Sequence, residues 1–204
     1  MSVPKYRLDA IETIGRKILQ EYDPALLDRP PQAVPIETII ETKFDLTLEY
    51  HCLRKNGSIL GETIFDEGAA ILYDQDEKRY RLIAVKAGTI LVEERLCVDR
   101  LLGRLRFTCA HELGHWVLHQ KLYSGTGDVA AYEGKTSLDE SHGLVEWQAD
   151  ALATALLMPL PQIKRSFYRL RAGRSNEQLV AEMAQIFQVS KQAMRIRLET
   201  RNLI

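Results

Sequence analysis

The sequence predicts an α+β fold in which a small twisted sheet packs against two of the helices that follow it. Two observations support this prediction: short β-rich segments are confined to residues 45–94, and helical periodicity dominates before and after them. A third is the segment RFTCAHELGHWVLH (106–119), which places histidines four residues apart in an apolar run. The chain of 204 residues suits one larger domain, or one domain with a small appendage.

The composition is that of a globular protein with a hydrophobic core. It disfavours a nucleic-acid-binding, membrane-spanning or secreted protein. Apolar residues make up 46% and charged residues 27%, and the net charge of −1 offers no general attraction to nucleic acid or to an anionic membrane. No apolar run is long enough to span a bilayer, and the first residues lack the apolar core of a signal peptide. The three cysteines lack metal-ligand spacing, which predicts reduced thiols in a cytoplasmic protein.

Helices are predicted first, followed by strands. Apolar spacing predicts a helix over residues 6–22, and Pro35 then opens a short helix that reaches about Lys43. Turn residues such as those at 56–57 and 67–68 separate five strand-like segments, which predicts a small, mostly antiparallel sheet. The five segments are residues 45–51, 58–65, 69–74, 80–86 and 89–94.

The HELGH segment has the spacing of a catalytic zinc site. On a helix, His111 and His115 are offset by about 40° and lie one turn apart, while Glu112 lies about 100° round from His111. Two imidazoles so placed form half of a zinc site, and the glutamate can reach a water between them as general base. The alternative is a buried helix with two hydrogen-bonded core histidines. His119 is rotated about 80° from His111, which predicts a residue behind the ligands or at the helix end.

Residues next to this motif favour the metal interpretation. Imidazoles buried beside a carboxylate are costly unless something binds them. Gly114 adjoins the histidines, where glycine costs about 1 kcal/mol relative to alanine, and this indicates close approach of another backbone or of substrate. The alternative is a tolerated packing glycine.

A second helix is predicted over residues 143–159, and its carboxylates can complete the site. Catalytic zinc uses three protein ligands, so we predict Glu146 as the third. Asp150 follows one turn later, and we expect it to accept a hydrogen bond from the outer nitrogen of His111. The alternative for both carboxylates is a solvated helix stripe.

Three segments in this order resemble the ImmA/IrrE family of metallopeptidases: RFTCAHELGHWVLH, EWQADALATALLMP and FQVSKQAMRIRL. The resemblance covers residues 104–204 with specific motifs, whereas over 1–93 only the order of elements matches. It implies a zincin-like fold in which His111, His115 and Glu146 bind Zn²⁺, with Mn²⁺ as an alternative metal, and Glu112 is the catalyst.

The same resemblance implies a function and a partner. Several family members are cytoplasmic proteins that cleave a helix-turn-helix repressor and so control a stress or mobile-element response. A repressor of that kind is therefore the expected protein substrate. The alternative is a non-hydrolytic, metal-containing regulator that binds a repressor or DNA, although an intact Glu112 favours the enzyme. The chain departs from the family pattern in the long polar segment between Gln120 and Gly143 and in its full-length basic tail. The polar segment is a candidate lid or specificity element, and the ligand set does not depend on it.

Two features of substrate binding are also predicted. Tyr123, Tyr132 and His142 are candidate donors to the oxyanion, each with an uninvolved surface residue as the alternative. A zincin-like site holds an extended peptide along an edge strand. We expect that edge to be residues 69–74 or, as second choice, 89–94.

The C-terminal region, residues 161–204, is predicted to be helical and to resemble a helix-turn-helix, after a peptidase domain over 1–160. Ser175 or Asn176 can cap one helix and Ser190 the next. Residues 164–204 contain nine Lys and Arg residues against three acidic ones. We expect packing against the peptidase domain, with docking on a protein second and direct DNA binding least favoured.

Overall fold

The computed structural model describes residues 3–125 and 140–204, and this part of the chain forms an α+β fold. Two helices precede the strands and the remaining helices follow them, as the sequence predicts. The elements are α1 (Leu8–Tyr22), α2 (Ile36–Phe44), β1 (Thr47–His51), β2 (Gly61–Thr63), β3 (Gly68–Asp74), β4 (Arg79–Val85), β5 (Thr89–Glu93), α3 (Leu102–Tyr123), α4 (Glu140–Leu157), α5 (Leu160–Leu170), α6 (Asn176–Phe187) and α7 (Lys191–Thr200).

The strands divide between two small sheets, where the sequence predicts one. In the first sheet β5 is central, with β1 parallel on one side and β2 antiparallel on the other. The second is an antiparallel pair of β3 and β4. Every residue of β5 is buried, whereas β4 is largely exposed. An alternating pattern shows that a strand has one buried face, but it does not specify the strand's partner.

The helices α3 and α4 pack closely because small residues face each other at their crossing. A Cβ atom on Gly114 would lie 2.9 Å from the carbonyl oxygen and 3.0 Å from the Cα atom of Ala149. Gly114 therefore marks the close approach of another backbone, which confirms the interpretation of this glycine. This contact sets the distance between the helix with the histidines and the helix with Glu146.

Gly114→Ala should lower both the thermal stability and the metal affinity of the protein. The added methyl group forces α3 and α4 apart, and overpacking of this kind costs about 1–3 kcal/mol. The measurements are a thermal melt and competition for Zn²⁺ with a chromophoric chelator. Gly143→Ala on α4 is the matched control, because its Cβ would meet no atom within 4 Å among the described residues. A Gly114→Ala protein with the melting temperature and affinity of the wild type would contradict the prediction.

The C-terminal helices pack against the rest of the chain. The hydrophobic core that includes Ile11 of α1 and Leu113 of α3 extends to Phe187 of α6 and Leu198 of α7. Arg197 is buried, donates hydrogen bonds to the carbonyl of Met158 and pairs with Glu12. The packing interpretation of this region is therefore confirmed, while the helix-turn-helix likeness and the division at residue 160 stay predictions.

Serine side chains begin the last two helices, as the sequence predicts. Ser175 Oγ accepts a hydrogen bond from the backbone N–H of Gln178, whose side chain accepts one from the N–H of Ser175. Ser190 Oγ accepts a hydrogen bond from Ala193 N–H. In the described part of the chain, no helix combines the length and apolar character needed to cross a membrane.

Candidate metal centre

The side chains of His111, His115 and Glu146 converge at the crossing of α3 and α4. The Nε2 atoms of the two histidines are 2.9 Å apart. Glu146 Oε2 lies 3.3 Å from His111 Nε2, and Glu146 Oε1 lies 3.3 Å from His115 Nε2. One donor atom from each residue lies within 4.8 Å of the others. The structure thus brings together the three residues that the sequence predicts as ligands.

Asp150 lies one turn after Glu146 and contacts the first histidine. Its Oδ1 accepts a hydrogen bond from His111 Nδ1 at 2.8 Å. In the neutral form of His111, a proton on Nδ1 leaves the lone pair of Nε2 directed towards Glu146. The Asp150 side chain is 56% exposed, so this hydrogen bond lies at the surface of the site.

Charged neighbours strongly perturb the donor groups. Burial alone would lower the pKa of His111, but its hydrogen bonds to Asp150 and Glu146 outweigh burial and raise that pKa to about 10. Burial alone would raise the pKa of Glu146, but the two histidines beside its carboxylate outweigh burial and lower that pKa well below its usual range. The carboxylates thus stabilise positive charge on His111, whereas the histidines stabilise the ionised form of Glu146.

The residues present fit a divalent transition metal. Two imidazoles and one carboxylate are a donor set of catalytic zinc sites, and they leave one coordination position open. Glu146 Oε1 is buried and accepts no hydrogen bond from any residue that the structure describes. A buried carboxylate oxygen beside two imidazole nitrogens needs a positive partner, and a metal ion supplies it.

Glu112 is buried beside the donors and is held by β2. Its side chain is 6% exposed. Thr63 Oγ1 lies 2.7 Å from Glu112 Oε2 and 3.0 Å from the Glu112 carbonyl oxygen, and can donate to either. A Cβ atom on Gly61 would lie 2.5 Å from Glu112 Oε1, so only glycine allows this approach. The sequence pattern did not identify Thr63 or Gly61 as part of the site. A glycine inside the strand-like segment 58–65 is nevertheless a signal of close backbone approach.

A cleft of about 430 Å³ opens over these groups. Residues 58–61 line one side, and the side chains of α3 and α4 line the other. His142, one turn before Glu146, also lines the cleft. Tyr123 instead packs on Phe65, with ring centroids 5.2 Å apart. The third predicted oxyanion candidate, Tyr132, lies outside the described residues.

The strand at the cleft is β2, so the predicted edge strand was wrong. Residues 89–93 form the central strand β5, which is paired on both sides, and residues 68–74 pair within the other sheet. On either side of β2, the carbonyl oxygen of Leu60 accepts a hydrogen bond from Glu93 N–H, and Ile64 N–H donates to the carbonyl oxygen of Thr89, so both residues turn these groups towards β5. Strand alternation then turns the N–H and C=O groups of Gly61 and Thr63 to the opposite edge, which pairs with no strand among the described residues and is called the open edge of β2 below.

Comparison with known families adds one match. The model of the Peptidase_M78 family, described as the IrrE N-terminal-like domain, matches residues 74–199, which is more than half of the chain. The matched range includes α3 and α4 with all of the converging residues described above. No curated protein matches the chain at a significant level.

Proposed function

Since the chain belongs to the Peptidase_M78 family of IrrE N-terminal-like domains, we propose that it is a zinc-dependent metalloendopeptidase that hydrolyses a peptide bond in a protein substrate. One observation carries the proposal: His111, His115 and Glu146 converge in a cleft that also holds the carboxylate of Glu112. Mn²⁺ is the alternative metal for the same donor set.

Glu112 is the general base in this proposal. When bound, the divalent ion supplies Lewis acidity at the cleft. Glu112 accepts a proton from the attacking water and later delivers it to the leaving amine. Thr63 occupies Oε2 of the carboxylate and keeps its plane fixed, which leaves Oε1 for the water. His142 is the oxyanion candidate that lies at the cleft.

The open edge of β2 is the proposed substrate-binding edge. An extended peptide can pair with the N–H and C=O groups of Gly61 and Thr63. This pairing recognises the main chain of the substrate rather than its side chains. Such a peptide would run past Glu112, because β2 crosses α3 at this residue. Selectivity would then come from the side chains that the rest of the cleft can accommodate.

The proposed substrate is a helix-turn-helix transcriptional repressor in the cytoplasm. The support is the motif resemblance to family members that cleave such repressors. The test is incubation of the purified, zinc-loaded protein with any helix-turn-helix repressor that a neighbouring gene encodes. We expect discrete fragments on a gel, their loss after treatment with a chelator, and their return when Zn²⁺ is added. An intact repressor that nevertheless binds the protein would favour the non-hydrolytic regulator.

A further inference from the structure

Behind His115, on the side away from the cleft, lie two buried polar side chains that the proposed reaction does not use. His119 and Gln148 are both 0% exposed. His115 Nδ1 lies 3.3 Å from His119 Nδ1, and His119 Nε2 lies 3.0 Å from Gln148 Oε1. Gln148 Nε2 donates to the carbonyl oxygen of Pro4 at 2.6 Å. We call these four residues the polar row.

The far end of the polar row fixes the direction of its hydrogen bonds. The Pro4 carbonyl can only accept, so the amide nitrogen of Gln148 must face it. The amide oxygen of Gln148 then faces His119, and it too can only accept. His119 Nε2 must therefore carry a proton and donate it to Gln148.

The same donor and acceptor argument extends to the hydrogen bond between His119 and His115. A fully buried imidazole between a neutral amide and a second imidazole is costly to charge, so His119 is neutral. With its proton on Nε2, His119 offers a lone pair on Nδ1. Its neighbour His115 Nδ1 must then be the donor of the bond between them. A neutral His115 therefore has no proton on Nε2, the atom that faces His111 and Glu146.

This assignment leaves two acceptor atoms facing each other. Glu146 Oε1 lies 3.3 Å from His115 Nε2. Without a proton on Nε2, both atoms direct lone pairs at the position of the proposed metal.

We propose that the polar row locks the tautomer and ring orientation of His115, with His119 and Gln148 as positioning residues for the metal site. The inference rests on the proposed function, because it assigns His115 Nε2 to the metal. The two proposed histidine ligands then differ in the group that holds Nδ1. For His111 this group is the exposed carboxylate of Asp150, and for His115 it is the buried, uncharged polar row. Through Pro4 the segment before α1 becomes part of that support.

The first test compares His119→Leu with His119→Gln. Leucine fills the space but accepts no hydrogen bond from His115. The glutamine amide can accept from His115 through its oxygen and donate to Gln148 through its nitrogen, as the imidazole does. Loss of an outer partner of a ligating histidine typically lowers metal affinity about 10–100-fold. We expect that loss in His119→Leu and in Gln148→Leu, and near-wild-type affinity in His119→Gln, measured by competition with a chromophoric chelator for Zn²⁺.

A second readout isolates the tautomer from packing. The side-chain ¹⁵N chemical shifts of His115 in the metal-free, full-length protein distinguish a proton on Nδ1 from one on Nε2. We expect the Nδ1–H form in the wild type and in His119→Gln, and a mixture of both forms in His119→Leu. Thermal melts of all variants show which of them are folded.

Several results would overturn the proposal. One is a wild-type His115 with its proton on Nε2. Another is wild-type zinc affinity in both leucine variants, and a third is a folded His119→Gln that loses as much affinity as His119→Leu. If His119→Leu fails to fold, Gln148→Leu and His119→Gln decide the question. If the wild type binds no zinc, the proposed function fails, while the shifts of the metal-free protein still decide the tautomer.

Discussion

Glu112→Gln should abolish peptide hydrolysis and leave the metal in place. Glutamine has the shape of glutamate but cannot accept a proton from water, and removal of a general base typically costs about 10²–10⁴ in rate. The loss should be larger here if the same group also protonates the leaving amine. The Thr63 hydroxyl can still donate to the amide oxygen at this position, so the local structure should stand.

Asp150→Asn provides the contrast for this experiment. Asp150 touches His111 rather than the reacting atoms, so its change should lower metal affinity by roughly 10–100-fold. Saturating Zn²⁺ should then restore cleavage in Asp150→Asn but not in Glu112→Gln. The measurement is cleavage of the co-expressed repressor on a gel, with the metal content of each variant.

Two outcomes would change the assignment of Glu112. Cleavage by Glu112→Gln at the wild-type rate would show that this residue is not the base. A wild type that cuts nothing, yet binds the repressor or DNA as tightly as Glu112→Gln does, would establish the non-hydrolytic regulator instead.

His111→Ala should remove the stoichiometric metal from the purified protein. We expect the wild type to bind about one divalent transition metal per chain. Without His111, only His115 and Glu146 remain, which is fewer than the three protein ligands of catalytic zinc sites. Elemental analysis of purified protein measures the stoichiometry, and cleavage of the repressor should fall together with it.

His51→Ala is the matched control for a lost imidazole. His51 lies on β1 and contacts Glu49, away from the residues that line the cleft. We expect this variant to keep its full metal content. An undiminished stoichiometry in His111→Ala would exclude the proposed ligand set, whatever the result with repressor.

The sequence was most informative where function depends on spacing within one helix. A separation of four residues places side chains on one face, and this geometry predicted that His111 and His115 would lie side by side. The same rule placed Asp150 one turn beyond Glu146. Gly114 was informative because glycine is unfavourable inside a helix, so its presence pointed to a close contact. Ser175 and Ser190 predicted the starts of the last two helices through side-chain capping, which is equally local.

Only the tertiary structure decided which residues from distant parts of the chain meet. An alternating strand pattern is compatible with many pairings, so the sequence could not identify β2 as the edge at the cleft or assign β3 and β4 to a separate sheet. Thr63 lies 49 residues before Glu112, and Gln148 lies 144 residues after Pro4. These contacts form when α3 packs against β2 and α4. The periodicity within a single element does not predict them. The sequence therefore determined the helix faces that carry the candidate ligands, whereas the packing of the elements determined what holds those ligands in place.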